Sequence, residues 1–533
     1  MMSPFYKNPA QPVYPARVKL QTHMAALIAV VIALILCESV QSYMDISNSA
    51  LRTLARTHRL WGAPTPTADE ITGWDQANKD LFLRNYWQKR PVMIRKAFDA
   101  SELMVPSRME LLDLSVDDDV ESRLLQFNEK TEKWKKTSGP FERGFLSTLR
   151  KEDIWTILVQ EVDRHVPAVA DIWQNFGFIP DWRRDDIMIS YATSGGGIGA
   201  HVDNYDVFLI QGKGQRDWSI ENSFLTHNAE MVREVKGSPT RLLRDFKANQ
   251  MWRLDAGDML YLPPRVPHRG VSCGQDCTTI SMGFRAPTYR SMMVALTAHI
   301  CQHSIDENFH YTDPDLVEHG GGNVDTVSEK ARGSMASTLQ GLFEEGISGP
   351  SFDQWVGKYL TEPLRMHIRA PTPFFLEESR EGKAMEGEED SDDYDDGYDD
   401  EDDELPLAVS SRYAVASNIV YPDAESVLEA AVAGEIELRL FEGVRVAYLP
   451  GIRTLFLNGV AFPLPEEAEP LAPVLSLTAS ENRNRQINHG SFVNALERAG
   501  GMKGGRLCQS PAVRLLCGIL RSGYYYPVDV GRK

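Results

Sequence analysis

The chain has 533 residues, a hydrophobic fraction of 42% and a formal net charge of −19. Its length favours about three or four folding units, and its apolar content is enough for sizeable cores. Fourteen acidic residues and no basic ones lie between Glu386 and Glu404, so −19 becomes −5 when this run is set aside. Such a run argues against direct nucleic-acid binding by that segment. The six cysteines are sparse, which fits a reduced, intracellular protein.

The first distinctive element is an apolar run of fourteen residues at 24–37, within an N-terminal extension that we place at 1–72. Three basic residues precede the run, and no acidic residue occurs before Glu38. Fourteen residues are short for a bilayer span and are typical of the apolar region of a targeting signal. A membrane anchor is the alternative.

The next unit, 73–288, contains a run of β-branched and aromatic residues at 205–211 that predicts a strand. His201 and Asp203 lie at its entrance, two residues apart. In an extended chain, residues i and i+2 point to the same face, so both side chains can meet one metal ion. The Gly-rich stretch at 194–199 predicts a flexible loop that lets the backbone approach a ligand closely.

The segment after this strand predicts a Gly-containing turn and a returning strand, on which Arg216 and Trp218 share a face. An arginine directed into a barrel is costly unless it meets an anion. Because arginine binds carboxylates in a two-pronged manner, a dicarboxylate that chelates the metal at one end and meets Arg216 at the other fits this position. An arginine on a surface strand is the alternative.

A second histidine completes the candidate metal site. The short apolar strand at 258–262 is stopped by Pro263 and Pro264, and His268 follows. Two imidazoles and one carboxylate are the ligand set of mononuclear non-haem Fe(II) oxygenases, and they leave one face of the metal open. An isolated His-x-Asp pair is common by chance, but the strand context and the proline-rich approach to His268 favour a metal site in a small β-barrel.

Beyond the barrel, residues 289–370 predict helices, because apolar residues recur at helical spacing over 289–304 and 327–343. Residues 371–405 contain the acidic run and predict a solvated, disordered linker. In the last unit, 406–533, alternating residues at 436–441 and 444–449 predict paired strands, with helices near 424–433 and 511–521.

Several separated motifs resemble those of one family. The sequence Gly-Gly-Gly-Ile-Gly-Ala-His-Val-Asp at 195–203, with its continuation to Trp218, looks like the centre of the JmjC-type ribosomal oxygenases. The closest likeness is to the bacterial branch, which hydroxylates an arginine of ribosomal protein uL16. Further matches occur in the same order at 85–92, 188–191, 283–287, 308–315 and 522–526.

The resemblance implies an α+β chain with a double-stranded β-helix, a cupin-like jelly-roll barrel. A helical dimerisation region and a winged-helix-like C-terminal domain are expected to follow. It implies that His201, Asp203 and His268 bind Fe(II), and that 2-oxoglutarate and O2 are co-substrates. Arg216 is expected to pair with the distal carboxylate of 2-oxoglutarate, and Ser190 to line the same pocket.

The expected function is therefore hydroxylation of a side chain, with arginine preferred, in a uL16-like ribosomal protein by a homodimer. The nucleolar relatives, which hydroxylate histidine, resemble one another in having lysine at the Arg216 position. The alternatives are a histidyl hydroxylase, a histone lysine demethylase and a catalytically silent β-barrel binding module. No direct nucleic-acid binding is expected.

The expected location is a mitochondrion or plastid, because these organelles contain bacterial-type ribosomes. A membrane location follows only if the apolar segment is retained as an anchor. A nuclear or cytoplasmic location follows if the extension is not a working signal.

Overall fold

The computed structural model describes residues 69–128, 133–235, 242–303, 305–306, 308–312, 327–363, 421–441, 443–477 and 485–530. The apolar run at 24–37 and the acidic run at 386–404 lie outside the described residues, so both interpretations stay predictions. In the part of the chain that is described, no helix is long and apolar enough to cross a membrane.

Strands dominate the first part of the described chain, and short helices connect them. The strands are β1 (Glu70–Thr72), β2 (Val92–Arg95), β3 (Ser122–Asn128), β4 (Lys133–Ser138), β5 (Trp155–Val159), β6 (Arg184–Ala192), β7 (Asp206–Lys213), β8 (Arg216–Ile220), β9 (Gln250–Leu254), β10 (Met259–Leu262), β11 (His268–Ser272) and β12 (Cys277–Phe284). The helices are α1 (Gln76–Asn85), α2 (Arg108–Leu114), α3 (Arg143–Leu146), α4 (Val162–His165), α5 (Pro167–Ala170) and α6 (His227–Arg233).

These strands form two sheets that face each other. The large sheet has nine strands in the order β1-β2-β10-β7-β12-β6-β5-β3-β4, and the small sheet has the order β11-β8-β9. From β6 to β12 the chain passes repeatedly from one sheet to the other, which is the topology of a jelly-roll barrel. The predicted fold class is therefore confirmed.

Strand β7 shows why the large sheet forms here. Seven of its eight residues are buried, because both faces of the strand are covered. Phe208 and Ile210 point into an aromatic core outside the barrel, where Phe208 contacts Phe82 at a ring distance of 5.3 Å. Val207 and Leu209 point into the barrel, where they belong to the same apolar cluster as residues of the small sheet. A continuous apolar run is typical of a strand buried on both faces.

Three helices follow the barrel: α7 (Tyr289–His303), α8 (Glu329–Gly346) and α9 (Gly349–Thr361). The two helices predicted from spacing are thus confirmed, although α8 begins two residues later and extends to Gly346. A small core of Leu296 and Ile300 from α7 and Trp355 from α9, with Phe343 of α8 packed against it, holds the three helices together.

The C-terminal part contains helices and three small sheets. Its elements are α10 (Ala424–Ala433), β13 (Ile436–Leu440), β14 (Val446–Leu449), β15 (Thr454–Leu457), β16 (Val460–Pro463), α11 (Ala472–Leu475), α12 (His489–Arg498), β17 (Met502–Lys503), β18 (Arg506–Leu507), α13 (Pro511–Arg521) and β19 (Tyr525–Asp529). Helices α10 and α13 match the predicted ones. The winged-helix description and the unit boundaries stay predictions.

The predicted pairing of the strands at 436–441 and 444–449 is wrong. Strand β13 pairs with β19, and β14 pairs with β15. The chain does turn between them, since the Val444 backbone N–H donates to the Phe441 carbonyl at 3.0 Å. The strands then diverge, because Arg445 binds Asp185 next to the barrel at 2.7 Å. Alternation of apolar residues identifies a strand but not its partner.

A buried charge network joins the C-terminal part to the start of β6. The Arg445 guanidinium donates to the Asp185 carboxylate and, at 2.8 Å, to the Arg184 carbonyl. Arg485 donates to Asp181 at 3.0 Å, and the Val446 backbone N–H donates to the same carboxylate at 3.1 Å. These contacts attach the start of β14 and the residue Arg485 to the beginning of β6, the strand that carries Ser190.

Candidate active site

The predicted triad comes together at one end of the barrel. His201 and His268 are paired residues, and each backbone N–H donates to the other's carbonyl at 3.0 Å. Asp203 lies against both rings: its Oδ1 is 3.8 Å from His201 Nε2, and its Oδ2 is 3.4 Å from His268 Nε2. Among the described residues this is the one group of three such side chains whose donor atoms all lie within 4.8 Å of one another.

The backbone reaches this arrangement differently from the sequence prediction. His201 is not an extension of β7, which begins at Asp206. It belongs to a segment that pairs with β11 in the small sheet, where the Gly195 N–H donates to the Ser272 carbonyl at 3.0 Å. Similarly, His268 begins β11, because the two prolines after β10 direct the chain from the large sheet to the small one.

The glycines before His201 allow this pairing. A Cβ at Gly197 would lie 2.3 Å from the Gly270 carbonyl oxygen, and one at Gly196 would lie 2.7 Å from the Trp155 carbonyl oxygen. The predicted close approach is therefore present, but the glycines approach the backbone of neighbouring strands. A side chain at Gly197 would push the His201 segment away from its partner strand β11, and one at Gly196 would push it away from β5.

Both imidazoles are oriented through their second nitrogen. His201 Nδ1 lies 3.0 Å from the Gly199 carbonyl, and His268 Nδ1 lies 2.9 Å from the Val266 carbonyl. A carbonyl only accepts, so each Nδ1 carries the proton and each Nε2 lone pair is available on the side of Asp203. Burial, assisted by the neighbouring His201, lowers the pKa of His268 to about 4 and keeps it in the neutral form that a metal needs.

Tyr205 is a site residue that the sequence analysis did not identify. The negative charge of Asp203, followed by burial, raises the pKa of its hydroxyl well above the usual value, so the hydroxyl stays protonated. A hydrogen bond from this hydroxyl to Asp203 contributes to the same shift. Its position two residues after Asp203 was the available signal, but aromatic residues in strands are usually core.

The triad opens into a cavity of about 500 Å³, within the range of small-molecule sites. Arg216 and Ser190, both predicted to bind the co-substrate, line this cavity and are buried. Thr279, which the sequence analysis missed, lies beside Ser190 in the pairing of β12 with β6. On β12 the signal was the alternation of Thr279 and Ser281 on one face.

Arg216 has the environment of a carboxylate-binding residue. Only 3% of it is exposed, and its buried Nε and Nη2 have no hydrogen-bond partner in the protein. Trp218 lies between it and the triad: the Arg216 Cζ is 5.8 Å from the Trp218 ring, which is itself 5.8 Å from the His268 ring. An unpaired buried guanidinium is unfavourable unless an anion occupies the cavity.

The strand that carries Arg216 does not return along β7. Strand β8 pairs with β9 and β11, and β7 pairs with β10 and β12. The turn therefore transfers the chain between sheets, and this transfer places Arg216 and His268 on neighbouring strands of the small sheet.

These residues fit Fe(II) and 2-oxoglutarate. Two imidazoles and a carboxylate are a suitable donor set for the metal, and the unpaired Arg216 guanidinium matches the far carboxylate of a dicarboxylate. Fe(II) with 2-oxoglutarate and O2 supplies the oxidising power to insert oxygen into an unactivated C–H bond, while the protein positions the target.

Comparisons with known proteins agree with this chemistry. A family model described as JmjC domain matches residues 171–292. The Escherichia coli protein named Ribosomal protein uL16 3-hydroxylase is 32% identical over 296 residues, which are 55% of this chain and 74% of that protein. A probable ribosomal oxygenase of Haemophilus influenzae is 33% identical over 248 residues, which are 44% of this chain and 56% of that protein.

Solved structures show the same relationship. The Escherichia coli ribosomal oxygenase YcfD in complex with cobalt and 2-oxoglutarate superposes with a TM-score of 0.59 at 25% identity, covering 84% of this chain and 98% of that one. A complex of YcfD with cobalt and succinic acid gives a TM-score of 0.58 with the same coverage. The chain therefore belongs to the JmjC-domain ribosomal oxygenases and is a 2-oxoglutarate-dependent dioxygenase with iron as its metal.

Proposed function

We propose that this enzyme hydroxylates an arginine side chain of a uL16-type ribosomal protein. The relationship to a protein named as a uL16 3-hydroxylase supports the choice of substrate. The observation that carries the choice of residue is Arg216, which lies buried in the cavity that contains the triad. The nucleolar relatives, which hydroxylate histidine, resemble one another in having lysine at this position, so arginine here favours the arginine-hydroxylating branch.

In this proposal each site residue has one role. His201, Asp203 and His268 hold Fe(II) on one face of the metal. Arg216 binds the far carboxylate of 2-oxoglutarate through two N–H groups, and the Ser190 hydroxyl donates to the same co-substrate. The buried walls around Trp218 exclude water from this end of the cavity, which strengthens the charge pairing.

The test is intact-mass analysis of the ribosomal protein after incubation with enzyme, Fe(II), 2-oxoglutarate and O2. We expect a gain of one oxygen atom, located on an arginine by fragmentation, and one succinate for each hydroxylation. The control is Asp203→Ala, which loses a metal ligand. Oxygen on a histidine would instead support the histidyl hydroxylase, and methyl loss from a histone peptide would support the demethylase. Absence of any turnover would support the silent binding module.

We also propose that the enzyme acts as a homodimer through α7 and α8. The two helices concentrate exposed large apolar side chains, namely Tyr289, Met293 and Val294 on α7 and Met335 and Leu339 on α8, which a partner would cover. Sedimentation of the wild type is expected to show a dimer, and Val294→Glu is expected to shift it towards monomer. A monomeric wild type would contradict the proposal.

We propose that the segment at 1–72 directs import of the protein into a mitochondrion or plastid. The support is the apolar run at 24–37 with basic residues and no acidic ones before it. A fusion of these residues to a fluorescent protein is expected to enter the organelle and to lose the segment by cleavage. Retention in the secretory membranes would favour the anchor instead.

A further inference from the structure

A second cavity adjoins the active site. It has a volume of about 490 Å³, and Tyr205 lines both this cavity and the one that contains the triad. Asn204, the neighbour of Asp203, lies on its wall as well. A chain that places one side chain at the triad can therefore place a neighbouring side chain in the second cavity.

Three separate parts of the chain build the second cavity. Trp182 and Asp185 come from the start of β6, residues 285–287 come from the loop after β12, and residues 359–363 come from the end of α9. Hydrogen bonds hold these parts in place. Arg285 Nη1 donates to the Glu362 carbonyl at 2.6 Å, and the Tyr359 and Ser291 hydroxyls lie 3.1 Å apart. The cavity is therefore preformed among the described residues.

The lining is mostly apolar, with a few charged residues at its edge. Tryptophan, tyrosine, proline and leucine side chains supply the apolar surface, and Asp185, Glu362 and Arg285 supply the charges. The Asp185 carboxylate is paired with Arg445 at 2.7 Å, so its position is fixed and its charge is balanced. Such a cavity suits an apolar or aromatic side chain.

We propose that the second cavity binds an apolar or aromatic side chain of the protein substrate, close in sequence to the residue that is hydroxylated. This inference rests on the proposed function, because it requires a polypeptide substrate. Consecutive residues of an extended chain are about 3.3–3.6 Å apart, so a residue a few positions from the target reaches past Tyr205.

The inference is tested by filling the second cavity with a larger side chain. Leu360 lines it near the end of α9, and Leu360→Trp occupies the space without removing a residue of the metal or co-substrate site. Gln354→Trp is the matched control, because Gln354 lies on the same helix, is exposed and does not line the cavity. Both variants and the wild type are compared as full chains, with the uL16-type protein as substrate.

We expect Leu360→Trp to raise the KM for the ribosomal protein by roughly ten-fold, the factor set by losing burial of one apolar side chain. The KM for 2-oxoglutarate and the slow succinate formation without protein substrate are expected to stay at the wild-type values. Gln354→Trp is expected to match the wild type throughout. An unchanged KM for the ribosomal protein, or equal effects of the two variants, overturns the inference.

A second measurement does not depend on any cavity variant. A photoreactive phenylalanine analogue replaces, one at a time, each apolar residue within four positions of the hydroxylated residue in the substrate. We expect one of these to cross-link to residues 285–287 or 359–360 of the wild-type enzyme. Cross-links elsewhere, or occupation of the cavity by the enzyme's own segment at 364–420, overturn the inference. If the wild-type enzyme does not modify the ribosomal protein, both the proposed function and this inference fail. If it modifies the protein normally but no cross-link forms, only the binding of a substrate side chain in the second cavity is overturned.

Discussion

At the scale of single residues, Arg216 is the side chain whose environment most clearly requires a ligand. It is buried, and two of its nitrogens have no partner in the protein. Truncating one member of a buried charge pair leaves the other unpaired, at a cost of about 2–5 kcal/mol. We therefore expect Arg216→Met to raise the KM for 2-oxoglutarate on the order of 100-fold, measured by succinate formation.

Arg216→Lys provides the matched control. A lysine keeps the charge but loses the two-pronged geometry, so a rise of roughly ten-fold is expected. Thermal unfolding gives an independent check, because 2-oxoglutarate should raise the melting temperature of the wild type and not that of Arg216→Met. Equal stabilisation of both proteins would show that the carboxylate binds elsewhere.

The low pKa of His268 predicts how the stability of the metal-free protein changes with pH. Its pKa is about 4 in the fold and about 6.5 in an unfolded chain, so only the unfolded state takes up the proton between these values. The free energy of unfolding should therefore fall by about 3 kcal/mol as the pH is lowered from 6.5 to 4. Urea titrations in the presence of a chelator measure this loss.

Because carboxylates titrate in the same window, the wild type must be compared with His268→Gln. The variant lacks this ionisation. Its free energy of unfolding should therefore fall by about 3 kcal/mol less than that of the wild type over the same pH range. Parallel curves for the two proteins would mean that His268 takes up its proton in the folded state as readily as in the unfolded one.

At the scale of elements, the segment that carries His201 is held to β11 by backbone pairing that requires glycine. A Cβ at Gly197 would collide with the Gly270 carbonyl, whereas a Cβ at Gly274, just beyond the same strand, meets nothing within 4 Å. We expect Gly197→Ala to lower Fe(II) affinity by about 10- to 100-fold by displacing His201, as loss of a supporting contact does at other metal sites.

Gly274→Ala is the control for that measurement and should bind Fe(II) as the wild type does. Isothermal titration under anaerobic conditions gives both affinities. If the Gly197→Ala protein bound the metal normally, the paired backbone would not be what positions His201.

The strands themselves show how far local patterns reach. The runs that form β7, β10 and β14 were recognised as strands because apolar and β-branched residues occur at the right spacing. The strands with which they pair were not recognised. Strand β8 follows β7 but lies in the other sheet, and β13 pairs with β19 near the C-terminus. Pairing depends on which distant surfaces need covering, and a local window does not contain that information.

At the scale of the whole molecule, Arg445 attaches the C-terminal part to the barrel. Its guanidinium is 8% exposed and donates to Asp185 and to the carbonyls of Arg184 and Glu362. Removing one partner of such a buried pair costs about 3–5 kcal/mol. We expect Arg445→Met to lower the free energy of unfolding by about this amount in urea titrations.

Arg453→Met is the comparison, because Arg453 and its partner Glu466 are 47% and 81% exposed and 3.6 Å apart. Exposed pairs contribute between about 0 and 1 kcal/mol, so this variant should be nearly neutral. A neutral Arg445→Met protein would mean that the other contacts, among them the pair of Arg485 and Asp181, are enough to hold the C-terminal part to the barrel.

The sequence by itself determined the chemistry of this protein. The donor set of His201, Asp203 and His268 and the charge of Arg216 are properties of residue types, and the strands and helices around them follow from spacing along the chain. Only the tertiary structure decided that His201 pairs with His268, that the glycines are packed against backbone, and that a second cavity opens beside Tyr205. These features arise from contacts between residues far apart in the chain, where shape and burial, rather than local pattern, select the partner.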